Sequence, residues 1–234
     1  AWRAKVPVVI YLPDMQPGLA VRQLSHLATR VCVSFDSVQQ HFTREVTVTG
    51  YPVRRELLTA DKRAARKALG LGASTPVLLV LGGSSGAHSL NEAVSRHLEE
   101  LLDLAAIIHV SGGGDLAALE ARAEGLGTDC RSRYHLYGYL HEEMVSALAA
   151  ADLVVARAGA STLAEFPAVG LPAILVPYPH AGQHQRVNAE YLAGRGAAII
   201  VDDAELGDRL FDEVRGLFTN PQRLHAMSQA MRAI

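Results

Sequence analysis

Residues 151–189 have the sequence ADLVVARAGASTLAEFPAVGLPAILVPYPHAGQHQRVNA, which has the clearest structural pattern in the chain. It contains two apolar runs, Leu153–Ala156 and Ala173–Val176, each of a length typical of a buried strand. A Gly-Ala-Ser-Thr turn and a short helix with one acid, Glu165, separate the runs, and a polar loop follows the second. Small hydrogen-bonding residues after apolar strands are typical of ligand sites at the carboxyl ends of strands in open α/β sheets. The stretch therefore predicts a strand-helix-strand unit that carries a ligand site.

Composition narrows the class of protein. The chain has 234 residues, 49% hydrophobic and 20% charged, which fits one large or two modest globular domains. A net charge of −2 with both signs interspersed argues against nucleic acid as a partner. Cys32 and Cys130 lie far apart without metal-ligand spacing, so we expect no disulfide framework, no metal site and a reducing compartment. No apolar run approaches the roughly 20 residues that span a bilayer.

From Pro76 onward, segments with strand and helix patterns alternate, which predicts an α/β fold: a Rossmann-like parallel sheet with helices on both faces. The predicted strands are Val77–Leu81, Ala106–Val110, Tyr134–Tyr137, Leu153–Ala156, Ala173–Val176 and Ala197–Val201. Besides the short helix with Glu165, the predicted helices are Ser89–Leu102, Leu116–Glu124, Glu142–Ala149, one that starts near Arg186, and Leu206–Phe218.

The first 57 residues show a shorter pattern of the same kind. They predict strands at Val6–Leu12, Val31–Phe35 and Val46–Thr49 with one helix, Pro17–Thr29, between the first two. Such a sheet would have unsatisfied edges, so we expect that it is completed by a segment that this sequence lacks. We therefore predict three parts, which are the end of an α/β domain (residues 1–57), a connection with a polar helix (58–75) and the Rossmann-like domain (76–234).

A glycine-rich turn, residues 82–86, follows one predicted strand and precedes a helix. Its amides and the helix start can bind an anion, usually a phosphate, with Gly83, Ser84 and Ser85 as the candidate ligands. It is not a Walker loop, since no Lys-Ser/Thr pair follows, and it lacks the full dinucleotide-binding spacing. The alternative is a plain tight turn in which Ser84 or Ser89 only caps the helix.

A second turn opens the helix that carries Glu165, and two such helix starts indicate a diphosphate. The alternative is a capping box, because Thr162 and Glu165 have its spacing. Pro167 makes a regular first turn less favourable, which suggests that this helix is held for its position. The candidate ligands in the turn are Gly159, Ala160, Ser161 and Thr162.

The polar loop of residues 178–185 carries His180, His184 and Gln185, whose side chains offer both donors and acceptors. This composition suits sugar hydroxyls better than a metal ion, because the loop contains no cysteine or carboxylate to join its histidines. A solvated polar loop is the alternative. Arg54 by itself has the pattern of a surface residue.

Three stretches resemble the carboxyl-terminal, donor-binding half of glycosyltransferase family 28, most closely its peptidoglycan N-acetylglucosaminyltransferases. They are GGSSGAHSLN (82–91), LHEEM followed by ADLVVARAGASTLAE (140–165), and GLPAILVPYPHAGQHQRVNA (170–189). A weaker similarity extends back through PGLAVRQLSHLATRV and GYPVR to the end of the acceptor-binding half. The resemblance implies the GT-B architecture, in which two Rossmann-like domains hold a sugar nucleotide between them, with the amino-terminal one only partly present here.

The resemblance also implies a role for each candidate around the nucleoside. Glu165 would bind the ribose hydroxyls of the uridine, and Leu140 or His141 would offer backbone groups to uracil. Ala160 and Thr162 would lie by the diphosphate and the sugar.

The remaining implied roles concern the sugar, the phosphates and the base. His184 and Gln185 would hold the hydroxyls of the donor sugar, while Ser84 and Arg54 would face the phosphates. The family's glycine-rich, His-containing amino-terminal motif, which supplies the expected base, is not in this sequence. The catalytic residue is therefore unassigned, with His88 beside the glycine turn as the first alternative.

By this resemblance the protein is a metal-independent, inverting glycosyltransferase that uses a UDP-sugar, UDP-N-acetylglucosamine, and a lipid-linked or hydrophobic acceptor, without a cofactor. We expect a cytoplasmic location, with membrane contact through the amino-terminal domain. The family branch has a His-Glu-Gln-Asn run where this sequence has residues 11–14, YLPD, so the donor is better assigned than the acceptor. Two alternatives remain, a UDP-N-acetylglucosamine epimerase and a donor-binding subunit that needs a partner with the other domain.

Overall fold

The computed structural model describes residues 4–82, 87–179 and 184–234. These residues form two sheets in which every neighbouring pair of strands is parallel. One sheet has three strands and comes from the first part of the chain, while the other has six. The predicted α/β class with parallel sheets is confirmed. No helix among the described residues is both long and apolar enough to cross a bilayer.

The three-stranded sheet has the order β1-β2-β3, and a small core of side chains such as Val31 and Val33 lies against it. A helix, α1, joins the first two strands, and a 3-10 helix joins the second and third. The elements are β1 (Val9–Leu12), α1 (Leu19–Ser25), β2 (Arg30–Val33), the 3-10 helix (Asp36–His41) and β3 (Thr47–Val48).

The prediction of a buried first strand from Val6 was wrong. The strand begins at Val9, and the exposed fractions of Val6 and Val9 are 54% and 64%. Alternate residues of a strand face opposite sides, and in β1 it is Leu12 and Ile10 that pack on the small core. The predicted helix Pro17–Thr29 is also shorter, since α1 covers only its middle.

The six-stranded sheet has the order β6-β5-β4-β7-β8-β9. Alternate residues of β4 contribute to two cores, with Leu79 in the core on one face and Leu78 in the core on the other. Both faces are therefore covered, as is typical of parallel sheets made of continuous apolar strands. The strands are β4 (Val77–Leu81), β5 (Ala106–Val110), β6 (Tyr134–Tyr137), β7 (Leu153–Ala156), β8 (Ala173–Leu175) and β9 (Ala198–Ile200).

Helices cover both faces of this sheet, as predicted. Phe166 of α9 packs in one core and Leu210 of α11 in the other. The helices in this part are α2 (Arg55–Leu58), α3 (Lys62–Ala68), α4 (His88–Arg96), α5 (Leu98–Leu104), α6 (Leu116–Glu124), α7 (Thr128–Arg133), α8 (Glu143–Ala150), α9 (Thr162–Val169), α10 (His184–Ala193), α11 (Leu206–Phe218) and α12 (Pro221–Arg232).

Two helices differ from the prediction. The segment predicted as one helix, Ser89–Leu102, is divided at His97, whose φ of −111° and ψ of 26° leave the helical region. The His97 ring stacks on Phe211 with ring centroids 5.6 Å apart, so a tertiary contact accompanies the break. Helix α7 was not predicted, because it has no buried residue and its sequence TDCRSR lacks an apolar period.

Asn188 of α10 joins the two sheets. It is 0% exposed, and its Nδ2 donates to Asp14 Oδ1 at 2.9 Å and to the Ala158 carbonyl at 3.1 Å. Its Oδ1 accepts from the Met15 amide at 3.1 Å. One buried amide therefore ties the loop after β1 to the loop after β7.

Candidate functional site

A cleft of about 870 Å³ opens at the carboxyl ends of β4, β5 and β7, which contribute Leu81, Val110 and Ala156 to its wall. This is the edge at which open α/β sheets bind ligands. Arg54, which lies between β3 and α2, adds a cation. The sequence-predicted residues that line the cleft are Arg54, His88, Leu140, Gly159, Ser161, Thr162, Glu165 and Gln185.

The turn between β7 and α9 is not closed by a capping box. The residue before α9 is Ser161, which makes no side-chain cap, and the Thr162 hydroxyl donates to the Gly159 carbonyl at 2.7 Å. The Glu165 amide instead donates to the Ser161 carbonyl at 2.8 Å. The capping alternative is therefore wrong for Thr162, and the Glu165 carboxyl is not engaged in such a box.

Backbone donors in the same turn remain open to a ligand. The amides of Thr162 and Leu163 bond back to the carbonyls of Gly159 and Ala160 at 3.1 and 3.2 Å. Within the described ranges, the amides of Ala160 and Ser161 have no acceptor. A phosphate bound at this turn would therefore use the amides before the helix rather than those of its first turn.

Glu165 lies on the cleft wall in the first turn of α9. Burial raises the pKa of its carboxyl above the usual value, while the charge of Arg54 and a hydrogen bond with Ser161 act in the opposite direction. The pKa of Tyr51 is raised by burial first and then by the charge of Glu165. A part-buried carboxylate with an arginine nearby is suited to accept hydrogen bonds from a pair of hydroxyls.

Arg54 reaches the β6–α8 loop. Its Nη1 donates to the His141 carbonyl at 3.0 Å, beside the segment that the family resemblance assigns to the uracil. The His141 ring packs edge-on against Tyr139, with centroids 4.6 Å apart, and Tyr139 lines the cleft. The structure therefore places Arg54 next to the backbone that is predicted to contact the uracil.

Sequence reasoning missed a second cation in the cleft wall, Arg157, the residue that follows β7. Its side chain is 11% exposed, and its Nη1 lies 2.5 Å from Asp203 Oδ1. Its Nη2 donates to Ser89 Oγ at 2.8 Å, and Ser89 Oγ donates to the same Asp203 oxygen at 2.8 Å. The signal for Arg157 was a lone charge directly after an apolar strand, but Asp203 had no signal in the local sequence. The three residues hold the start of α4 and the ends of β7 and β9 together.

The two residues that were predicted to hold the sugar, Gln185 and His184, lie in different surroundings. Gln185 lines the cleft, and its Oε1 accepts from the Tyr178 amide at 2.9 Å. The His184 ring instead lies against Gly18, at the start of α1, and its buried Nδ1 has no partner within the described residues. His141 and Ala160 are close to the cleft in sequence but are not among its lining residues. The predicted residues that fall outside the described ranges are Gly83, Ser84, Ser85 and His180.

No three His, Cys, Asp or Glu side chains in the described residues are grouped so that they could hold a metal ion. Two arginine side chains, Arg54 and Arg157, line the cleft.

Comparisons with known proteins show the family of this chain. The profile described as "Glycosyltransferase family 28 C-terminal domain" matches residues 77–233. A protein of Roseiflexus sp. (strain RS-1), named UDP-N-acetylglucosamine--N-acetylmuramyl-(pentapeptide) pyrophosphoryl-undecaprenol N-acetylglucosamine transferase, is 44% identical over 270 residues. That alignment covers 99% of this chain and 61% of the relative.

Solved structures show the same fold. The crystal structure of Acinetobacter baumannii MurG has a TM-score of 0.75 at 28% identity, and the match covers 99% of this chain and 63% of that one. WaaG, a glycosyltransferase involved in lipopolysaccharide biosynthesis, matches with a TM-score of 0.61 at 20% identity over 98% of this chain and 71% of that one, which shows the fold alone. These neighbours are GT-B glycosyltransferases, as the sequence resemblance implied. The chain belongs to glycosyltransferase family 28.

Proposed function

We propose that this chain binds UDP-N-acetylglucosamine in the cleft and that the complete enzyme transfers the sugar, with inversion and without a metal ion, to a lipid-linked acceptor. The name of the Roseiflexus relative, 44% identical, supports this donor and this acceptor class. Since the chain spans 61% of that relative, the activity is proposed for the complete protein rather than for these residues alone.

The position of Glu165 is the observation that carries the proposal. It lies on the cleft wall one turn from the amides of the β7–α9 turn, and it is not used in a capping box. A carboxylate at this distance from an anion-binding turn matches a nucleoside diphosphate, whose ribose hydroxyls and phosphates are separated by a few bonds. The ribose 2′ and 3′ hydroxyls would donate to the two carboxylate oxygens.

The chemistry follows from the charge that develops on the leaving group. An acceptor oxygen attacks the anomeric carbon from the face opposite the UDP, the bond from that carbon to the phosphate oxygen breaks, and the electron pair leaves with UDP. Helix starts contribute about 0.3 to 2 kcal/mol each to binding that charge. This is too little alone, so Arg54 and the rest of the enzyme must contribute, including the base that takes the acceptor proton.

The acceptor sets the proposed location. Undecaprenol, which is named in the relative, is a lipid, whereas a sugar nucleotide is water-soluble. The reaction would therefore take place at a membrane surface, on its cytoplasmic side, and we assign membrane contact to parts of the enzyme outside this chain. No cofactor is part of the proposed reaction, since the sugar nucleotide is itself a substrate.

Calorimetry with the 234-residue chain, with EDTA present throughout, tests the donor site. We expect UDP to bind, and we expect Glu165→Gln to weaken UDP by at least about tenfold because the charged acceptor of both ribose hydroxyls is lost. The matched control is Glu120→Gln, an exposed glutamate on α6 outside the cleft, which should leave UDP affinity unchanged.

Three results would contradict the proposal. Strict dependence of UDP binding on Mg²⁺ would indicate a metal-dependent transferase. Equal affinity of the parent chain for UDP and deoxy-UDP would remove the role of Glu165. Conversion of UDP-N-acetylglucosamine to its epimer without any acceptor would identify an epimerase of the same architecture.

A further inference from the structure

His88 lies at the rim of the cleft. One nitrogen of its ring is hydrogen-bonded, and the ring is exposed to solvent. His88 is the first residue of α4, two positions after residues 82–86, which the sequence predicts to be a glycine-rich turn, and it lines the cleft. Its Nδ1 lies 2.8 Å from Asp115 Oδ1, and the side chain is 81% exposed. Among the described residues, Nε2 has no hydrogen-bond partner. Nε2 can therefore donate to a ligand in the cleft.

A buried chain of hydrogen bonds supports Asp115 from below. Its Oδ2 accepts from Asn91 Nδ2 at 2.7 Å, and the same Nδ2 donates to the Ser111 carbonyl at 2.9 Å. Asn91 Oδ1 lies 2.9 Å from His109 Nε2, and His109 Nδ1 lies 2.9 Å from the Tyr134 hydroxyl. Asn91 and His109 are only 2% and 0% exposed.

The chemistry of these groups determines the position of each proton. A carboxylate and a carbonyl only accept, so the NH₂ group of Asn91 must face Asp115 and Ser111, and its oxygen must face His109. Burial lowers the pKa of His109 to about 4, so its ring is neutral and carries its proton on Nε2. The Tyr134 hydroxyl then donates to Nδ1. Every bond in the chain has a donor and an acceptor.

The result at the surface is a fixed carboxylate. The pKa of Asp115 is lowered, first by its hydrogen bond from Asn91 and then by that from His88. The pKa of His88 is raised, first by the hydrogen bond to Asp115. Among the described residues, the other charged side chains in the groove that His88 and Asp115 line are Glu92 and Arg96, on the same helix as His88. Arg157, on the other side of the α4 start, is neutralised by Asp203.

We infer that His88 is a donor-binding residue whose protonated ring donates from Nε2 to the diphosphate of the sugar nucleotide, and that Asp115 and Asn91 are positioning residues for it. This inference rests on the proposed function, because it needs a diphosphate in the cleft. An ordinary surface ion pair contributes little and needs no support. The buried chain under Asp115 is instead what a preorganised binding group needs.

The inference makes the affinity for the donor depend on pH. UDP-N-acetylglucosamine is the right probe, because the two phosphates of this diphosphate diester keep their charge near neutral pH, whereas the terminal phosphate of UDP titrates there. We expect its affinity for the 234-residue chain to fall by about threefold to tenfold as the pH rises across the histidine range, about pH 5 to 8.

Four substitutions test the cause. His88→Gln should give the weaker affinity at every pH, whereas His88→Lys should keep the tighter affinity and lose the pH dependence. Asp115→Asn should move the fall in affinity to lower pH, because it removes the anion that raises the pKa of His88. His225→Gln, an exposed histidine on α12 outside the cleft, is the matched control and should behave like the parent chain.

Thermal melting of each variant reports whether it is folded, and an NMR titration of the His88 ring in the parent chain gives a second reading. The pKa of His88 should rise when UDP-N-acetylglucosamine is added and should not move when uridine, which has no phosphate, is added. Equal affinities and pH profiles for the parent chain and His88→Gln would overturn this inference alone. If the parent chain bound no UDP-N-acetylglucosamine at any pH, the proposed function would fail and the inference with it.

Discussion

In the six-stranded sheet every residue of β5 and β7 is buried, whereas in the three-stranded sheet Val9 and Tyr11 of β1 are exposed. The strands compared here, VIYL in β1, AIIHV in β5 and LVVA in β7, are all mostly apolar, so composition does not cause the difference. The large sheet has helices on both faces, while the described residues around the small sheet form one core on one side. Burial of a parallel strand therefore depends on how many layers pack on it.

The cleft lies beside the more deeply buried of the two sheets. The cleft lies at the carboxyl edge of the large sheet, where buried strands hold the turns that follow them in place. From the side of the small sheet, the residue that lines the cleft is Arg54, which lies between β3 and α2. Rigid strands beneath the site and a separate unit beside it are what a cleft enzyme requires.

The largest expected effect tests the burial contrast directly. Leu79→Ala, in the centre of β4, should lower the free energy of unfolding by about 2 to 5 kcal/mol, because it leaves a cavity among buried side chains. Val9→Ala, on β1, should change it by less than about 0.5 kcal/mol because the side chain is 64% exposed. Denaturant unfolding followed by circular dichroism measures both. Similar losses for the two variants would show that Val9 is covered in solution.

The second largest expected effect is a loss of stability at low pH. Because burial lowers the pKa of His109 from 6.5 to about 4, the unfolded chain binds a proton between these pH values that the folded chain does not. The contribution of this ring to the free energy of unfolding is therefore fully present above pH 6.5. It falls by about 3 kcal/mol as the pH falls to about 4. Denaturant unfolding at several pH values should show a flatter profile for His109→Gln.

The matched control for this prediction is on the small unit. His26→Gln, at an exposed position after α1, should keep the profile of the parent chain. An unchanged profile for His109→Gln would mean that the acid sensitivity has another source, such as the paired carboxylates.

The smallest effect tests the link between the two units. Asn188→Ala removes the side chain that is hydrogen-bonded to Asp14, to the Met15 amide and to the Ala158 carbonyl. It should lower the free energy of unfolding by about 1 to 3 kcal/mol. Hydrogen exchange should then speed up around Met15 while the strands of the large sheet stay protected. Gln23→Ala, an exposed residue of α1, should have neither effect. Equal loosening of both sheets would contradict the idea that Asn188 acts locally as their connection.

Much of the fold could be predicted from local patterns. The runs VLLVL, AIIHV and LVVA predicted β4, β5 and β7 with their observed ends, because a strand buried on both faces is apolar at nearly every position; the exception is His109 in β5. The prediction failed where the local pattern was silent. Helix α7 has no apolar period, and the break at His97 accompanies the contact with Phe211, which is distant in sequence.

The site shows the same division. The turn before Glu165 and the acid itself were predicted from small residues after an apolar run, and both line the cleft. The capping spacing of Thr162 and Glu165 was misleading, because it says which bonds are possible and not which residue starts the helix. Arg157 and its partner Asp203 were missed, since they follow β7 and β9, two strands that are far apart in the chain and end at the same edge of the sheet.

Residue types at short spacing were therefore enough to predict the α/β class, the succession of buried strands along the chain and the family. The order of the strands in the sheet and the pairs of polar groups that meet depend on the tertiary structure. Asn188 reaches Asp14 across 174 positions, Ser89 reaches Asp203 across 114, and His88 reaches Asp115 across 27. Hydrogen bonds act over about 3 Å, so partners that the fold brings together leave no periodic trace in the chain.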